Sequence, residues 1–177
     1  GRLDEDTFIT LAEVAERLET ILESQFALRE RLLSWLRGVQ TLTFIGQGPH
    51  AATARNAAMM MGEWAKQPAM SFGAGAFRHG FIETAGPGMG YILFAPNGAT
   101  ASSVLGLASE LAGYGAEVLL IENGRLRGLG EAVPGAALGD EFLSPFVDML
   151  PVQLFSEALA RERKIAQGFR YIRKVVT

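Results

Sequence analysis

Two side chains close together in the chain can move protons. Glu63 offers a carboxylate, which is a base when ionised and an acid when protonated. His79, one of only two histidines in the 177 residues, offers an imidazole that titrates near neutrality. The stretch that holds them, GEWAKQPAMSFGAGAFRHG over 62–80, reads as a helix end carrying the acid, a strand-like run and a loop of small residues, then Arg78-His79-Gly80. By residue type alone, an acid on an alanine- and methionine-rich helix is more often a solvated face than a catalyst, and a lone histidine is as ambiguous.

Two other turns have ligand-binding composition. Gly46-Gln47-Gly48-Pro49-His50-Ala51 has the loose form G-x-G-x-x-A between a strand and a helix, where glycines let a phosphate approach the helix N-terminus. A nicotinamide site also needs an acid roughly 20 residues on. Ser71-Phe72-Gly73-Ala74-Gly75, at that place, supplies none. A tight turn or a generic anion cradle is therefore expected at Gly46, Gln47 and Gly48, with no nucleotide cofactor, and His50 is expected to be a solvated helix-start histidine. The second turn runs from Pro96 to Ser103. Thr100, Ser102 and Ser103 can hold a phosphate through hydroxyls and backbone N–H groups, or simply cap the helix.

Other chemistries find no support. Two histidines in no HxxxH or HxxE pairing, with no cysteine, specify no metal site and no disulfide framework. No G-x-S-x-G elbow supports a Ser-His-acid arrangement. A net charge of −3 with 20% charged residues leaves no electrostatic footprint for nucleic acid. No apolar run reaches the roughly 18 residues of a membrane span. The opening GRLDEDTF has no signal-peptide pattern, and a cytoplasmic location is expected. Because the chain opens on Gly1, a longer polypeptide is expected.

The elements that must position these residues follow from periodicity. Residues 5–37 read as two helices or one bent helix, ended by Gly38, with apolar stripes at three- and four-residue spacing. Residues 41–45 (TLTFI) read as a strand, and 50–66 as a helix with Pro49 at its first position. Residues 69–72 form a second strand, and 91–95 and 117–121 read as strands buried on both faces. Between those two lies an amphipathic helix over 99–114. A weak strand is placed at 136–138, and a helix at 143–164 with Pro151 as a kink or restart. Alternating strands and helices predict one α/β domain over 1–177, an open and mainly parallel five-stranded sheet flanked by helices in three layers, with the N-terminal helices packed on it. Glu63 at the end of a crossover helix and His79 past the second strand are both expected at the carboxyl-end rim of the sheet.

Taken in order, these segments resemble the sugar isomerase (SIS) domain family, and within it the second SIS half of the glucosamine-6-phosphate synthase group and related phosphosugar isomerases, deaminases and deglycases. Phe44-Ile45-Gly46-Gln47-Gly48 resembles the family's FLGRG, and the helix ending at Glu63 resembles ALEGALKLKE. Ala76-Phe77-Arg78-His79-Gly80 resembles ELKHG, Pro151-Val152-Gln153-Leu154 resembles VPLQL, and the segment from Arg170 to Thr177 resembles RNLAKSVT. The likeness covers nearly the whole chain. It departs at Met60, where the family has lysine, and at Ala76, where it has an acid.

The resemblance implies an SIS, flavodoxin-like fold and a set of roles. Glu63 would shuttle a proton between C1 and C2 of an open-chain sugar phosphate. His79 would open the ring, reaching into a neighbouring subunit's site, and Lys174 would engage the C2 carbonyl. No cofactor and no metal are expected. The partner would be a second copy of the chain or a first SIS half of the same protein, completing isomerisation, deamination or deglycation of a hexose 6-phosphate. The alternative is a phosphosugar-binding or dimer-completing module without turnover.

Overall fold

The computed structural model describes residues 5–95, 98–128, 142–166 and 169–171, with side chains from residue 11 onward. Its core is a five-stranded sheet of β1 (Thr41–Gly46), β2 (Ala69–Gly73), β3 (Met89–Phe94), β4 (Glu117–Glu122) and β5 (Arg125–Arg127). The spatial order is β2-β1-β3-β4-β5. The first four strands are parallel, and β5 pairs antiparallel with β4.

The apolar runs in β1, β3 and β4 have this form because both faces are covered. On one face Leu42, Phe44, Ile92, Phe94, Leu119 and Ile121 pack with three helices: α2 (Gln25–Leu36), α3 (His50–Ala65) and α6 (Ser144–Glu162). On the other face Ile45, Tyr91, Leu93 and Leu120 pack under α4 (Ala74–Arg78) and α5 (Ala101–Gly113). The strand period of two sorts the side chains between the layers. The first helix, α1 (Glu5–Glu23), meets α6, with Val14 and Ile21 against Val147 and Leu154.

Of the two forms expected for the N-terminal helical region, the structure has two helices, parted at Ser24. Other local expectations change. The small-residue loop before His79 is helical, because Ala74 and Phe77 are buried against the sheet; a 3-10 turn (Phe81–Thr84) follows. Helix α6 runs unbroken through Pro151, which lies buried within it. The fifth strand sits at β5, while the predicted strand at 136–138 lies outside the described residues. The missed signal was Asn123-Gly124. Both residues have positive φ (51° and 73°), as a two-residue Asn-Gly hairpin turn requires. Among the described residues, no helix is long and apolar enough to cross a membrane.

Glycine in a helix interior costs stability unless something needs it. Gly62, exposed in α3, has open space where a Cβ would stand. Gly62→Ala is expected to raise stability by about 0.5–1 kcal/mol, read as a higher urea midpoint.

Candidate active site

The topology places Glu63 and His79 apart, correcting the expectation of a shared rim. Helix α3 leaves the carboxyl end of β1 and returns to the start of β2, which is parallel to β1. Glu63, in its last turn, therefore lies at the amino edge of the sheet. His79 follows β2 and α4, and β2 alone advances about 13 Å toward the carboxyl edge. The two also lie on opposite faces, since α3 packs in one layer and α4 in the other. Acid–base partners on one small ligand must lie within about 3 Å of the atoms they serve. Within a single copy Glu63 and His79 do not share a site.

Glu63 instead lines a pocket of about 350 Å³ with Gly62, Lys66, Pro68, Phe169, Arg170 and Tyr171. Its side chain is half-buried there. Lys66 caps the helix in the left-handed region (φ 51°, ψ 32°), and its Nζ donates to the Glu63 carbonyl at 2.5 Å. The C-terminal segment thus meets the end of α3 through residues 169–171. Lys174 lies outside the described residues. His79 is exposed at the C-cap of α4, its backbone N–H donating to the Ala76 carbonyl.

The turn candidates gather at the carboxyl edge. Gly46, Gln47 and Gly48 leave β1, and Thr100, Ser102 and Ser103 open α5 after its neighbour β3. The strand order reverses between β1 and β3, the point where open α/β sheets form a ligand crevice. Ser102 and Ser103 are exposed, and Thr100 makes no side-chain cap bond. Gln47 Oε1 accepts from the Gly75 N–H at 3.5 Å, tying the first turn to α4.

His50 is fully buried, not solvated as expected. Its Nε2 lies 2.8 Å from Asp148 Oδ2 and 3.4 Å from Ser144 Oγ, and its ring stacks on Phe94. Asp148 Oδ1 accepts from the Gly124 N–H at 2.5 Å. Burial pushes the Asp148 carboxyl above its usual value, against the His50 and Gly124 hydrogen bonds, which lower it. Serine, histidine and aspartate meet here, but the acid and the hydroxyl approach the same ring nitrogen, and all three are buried. A nucleophilic triad needs them on opposite nitrogens. The cluster is a structural tie joining α3, α6 and the β4–β5 turn. Sequence reading passed over Asp148, although a single acid within SPFVDMLPV signals a buried partner. Among the described residues no group of three or more His, Cys, Asp or Glu could hold a metal.

Comparison with known proteins agrees with this architecture. The chain is 28% identical over 151 residues to the isomerizing glutamine–fructose-6-phosphate aminotransferase of Thermococcus kodakarensis, covering 85% of this chain and 25% of that protein. The C-terminal domain of glucosamine-fructose-6-phosphate aminotransferase from Francisella tularensis superimposes with a TM-score of 0.74 at 19% identity, over 87% of this chain and 44% of that one. A glucosamine-6-phosphate deaminase from Thermotoga maritima gives 0.70 at 18% identity, over 92% and 46%. At such identities the two structures share the fold. The chain spans about a quarter of the curated relative and less than half of each solved chain. The SIS domain model matches residues 36–132, more than half of the chain, so this protein belongs to the SIS domain family.

Proposed function

We propose that this chain binds a hexose or amino-hexose 6-phosphate and contributes acid–base residues to its aldose–ketose isomerisation, deamination or deglycation. The observation that carries the reading is the pocket at the end of α3, where Glu63 faces the C-terminal segment that leads to Lys174. In this reading Glu63 moves the proton between C1 and C2, and Lys174 engages the C2 carbonyl. Because Glu63 and His79 stand on opposite faces and edges, His79 serves a site completed by a second chain or a second SIS half. The Gly46–Gly48 and Thr100–Ser103 turns then face that partner's ligand. The protein works in the cytoplasm.

The test is turnover of fructose 6-phosphate and glucosamine 6-phosphate in deuterated water, which labels the carbon Glu63 serves. Glu63→Gln keeps the shape and removes the base, so exchange is expected to fall by about 10²-fold or more with the fold unchanged. Undiminished exchange in Glu63→Gln would sink the assigned role. Met60 and Ala76, in place of the family's charged residues, favour a second reading in which the domain binds the sugar phosphate without turnover. A ligand-induced rise in melting temperature with no product by NMR would single it out.

A further inference from the structure

We propose that Asp148, acting through His50, is a positioning residue for the carboxyl edge of the sheet: the buried tie sets the spacing of the Gly46–Gly48 and Thr100–Ser103 turns that face a sugar phosphate. The inference rests on the phosphosugar reading above and adds which buried groups set the geometry of those turns.

Strands β1, β3 and β4 end at this edge, and all three ends converge on the tie. His50 is the first residue of α3, and its carbonyl lies so close to Gly46 that a Cβ there would clash with it. Whatever fixes His50 therefore fixes the Gly46–Gly48 turn. The imidazole stacks on Phe94, the last residue of β3, with ring centroids 5.8 Å apart. From Phe94 the chain passes through Ala95, whose N–H donates to the Ile121 carbonyl of β4 at 2.9 Å, and on to the Thr100–Ser103 turn. Asp148 completes the arrangement from α6. One carboxyl oxygen meets His50 Nε2 at 2.8 Å, and the other accepts from the N–H of Gly124, in the turn after β4.

The two oxygens of Asp148 are thus committed to different elements. Hydrogen bonds fix direction and distance, whereas apolar packing of equal volume fills the space about as well and fixes neither. Asp148 and His50 have no exposed surface, so neither touches a ligand at the rim. Their effect on binding passes through the turns. Gln47 extends it, since its Oε1 accepts from the Gly75 N–H and carries the position of the first turn to α4.

Binding of fructose 6-phosphate to the full chain, measured by titration calorimetry, tests this on the parent and three variants. Asp148→Asn keeps an acceptor for Gly124 and a partner for His50. Asp148→Asn/His50→Phe keeps a ring against Phe94 but removes the nitrogen that meets residue 148, and it leaves no buried charge behind. Leu32→Ala opens a cavity in α2, near the amino end of β1, and lowers stability without touching the tie. Asp148→Asn is expected to bind within about twofold of the parent, the double variant about fivefold or more weakly, and Leu32→Ala as the parent does. A double variant that binds like the parent overturns the positioning role and leaves the phosphosugar reading standing. Equal losses in Leu32→Ala and the double variant also overturn it, because affinity would then follow general stability. A measurement on the parent alone holds even where the double variant does not fold. Coupling is reciprocal, so fructose 6-phosphate is expected to slow hydrogen exchange at the Gly124 N–H, which Asp148 holds. Unchanged exchange there in a chain that binds the sugar overturns the proposal. If the parent binds neither fructose 6-phosphate nor glucosamine 6-phosphate, the phosphosugar reading fails and the positioning role with it.

Discussion

Gly46→Ala is expected to destabilise the domain by about 3 kcal/mol or more, a large fraction of the roughly 5–15 kcal/mol that holds a typical domain folded. A Cβ on Gly46 would stand 2.0 Å from the His50 carbonyl oxygen, 2.4 Å from its carbon and 3.0 Å from the Ala51 nitrogen. All three are backbone atoms, so no rotamer change relieves the clash. Either the end of β1 or the start of α3 must move. Strand β1 is held between β2 and β3, and α3 is anchored by Ala54, Ala57 and Met61, all fully buried. The loss should appear as a lower urea midpoint with an unchanged slope, and Gly62→Ala on the same helix supplies a control of opposite sign. A Gly46→Ala protein within 1 kcal/mol of the parent would show that the turn can open, and the close approach of strand and helix would not be a requirement of the fold.

The same glycine explains why so much of the architecture was legible. The strand, the tight turn and the helix at 41–66 are each specified locally: a β-rich run, two glycines, Pro49 at the entry and a run of good helix formers. Runs such as YILFA and EVLLI mark strands covered on both faces for a direct reason, since α/β layers leave no polar face to alternate. Where local signals were weak, tertiary burial decided. AGAFR has little helical propensity, with a glycine in five residues, yet it forms α4 because Phe77 fills the layer beneath Phe72 and Tyr91. The Asn123-Gly124 dipeptide carried the hairpin signal in the sequence itself.

The candidate site was legible as residue types but not as an assembly. The sequence distance from Glu63 to His79 is short, which suggests proximity, but a parallel crossover turns it into a journey from one edge of the sheet to the other. A helix and a strand of comparable length separate the two ends of any β–α–β unit, so a residue at the close of the helix and one beyond the next strand belong to opposite rims. That rule could have been applied from the element order alone. The C-terminal segment gave the reverse error of omission. Arg170 was read only as part of a motif leading to Lys174, whereas the residue itself lines the Glu63 pocket.

Asp148→Ala is expected to cost about 3–5 kcal/mol, because it leaves the fully buried His50 ring and the Gly124 N–H without their acceptor. The tie spans three elements, so the loss should loosen the start of α3, the β4–β5 turn and α6 together. Asp148→Asn is the informative partner. Its carbonyl can still accept from Gly124, and its N–H can donate to a His50 Nε2 left unprotonated, so the cost should be well below that of Asp148→Ala. The two variants also differ with pH. In the folded protein burial holds the Asp148 carboxyl above its ordinary 3.8, with the nearby Glu122 charge acting in the same direction, while the His50 and Gly124 bonds oppose it. The folded state therefore keeps this proton at pH values where the unfolded chain has lost it. Stability contributed by Asp148 is then complete below the unfolded value and declines as pH rises through the folded one. Asp148→Asn cannot titrate, so its stability relative to the parent should climb as pH rises from about 4 and then level off. Urea unfolding of both proteins across that range measures it, and a relative stability that falls with rising pH would mean that His50 and Gly124 outweigh burial and hold the carboxylate ionised.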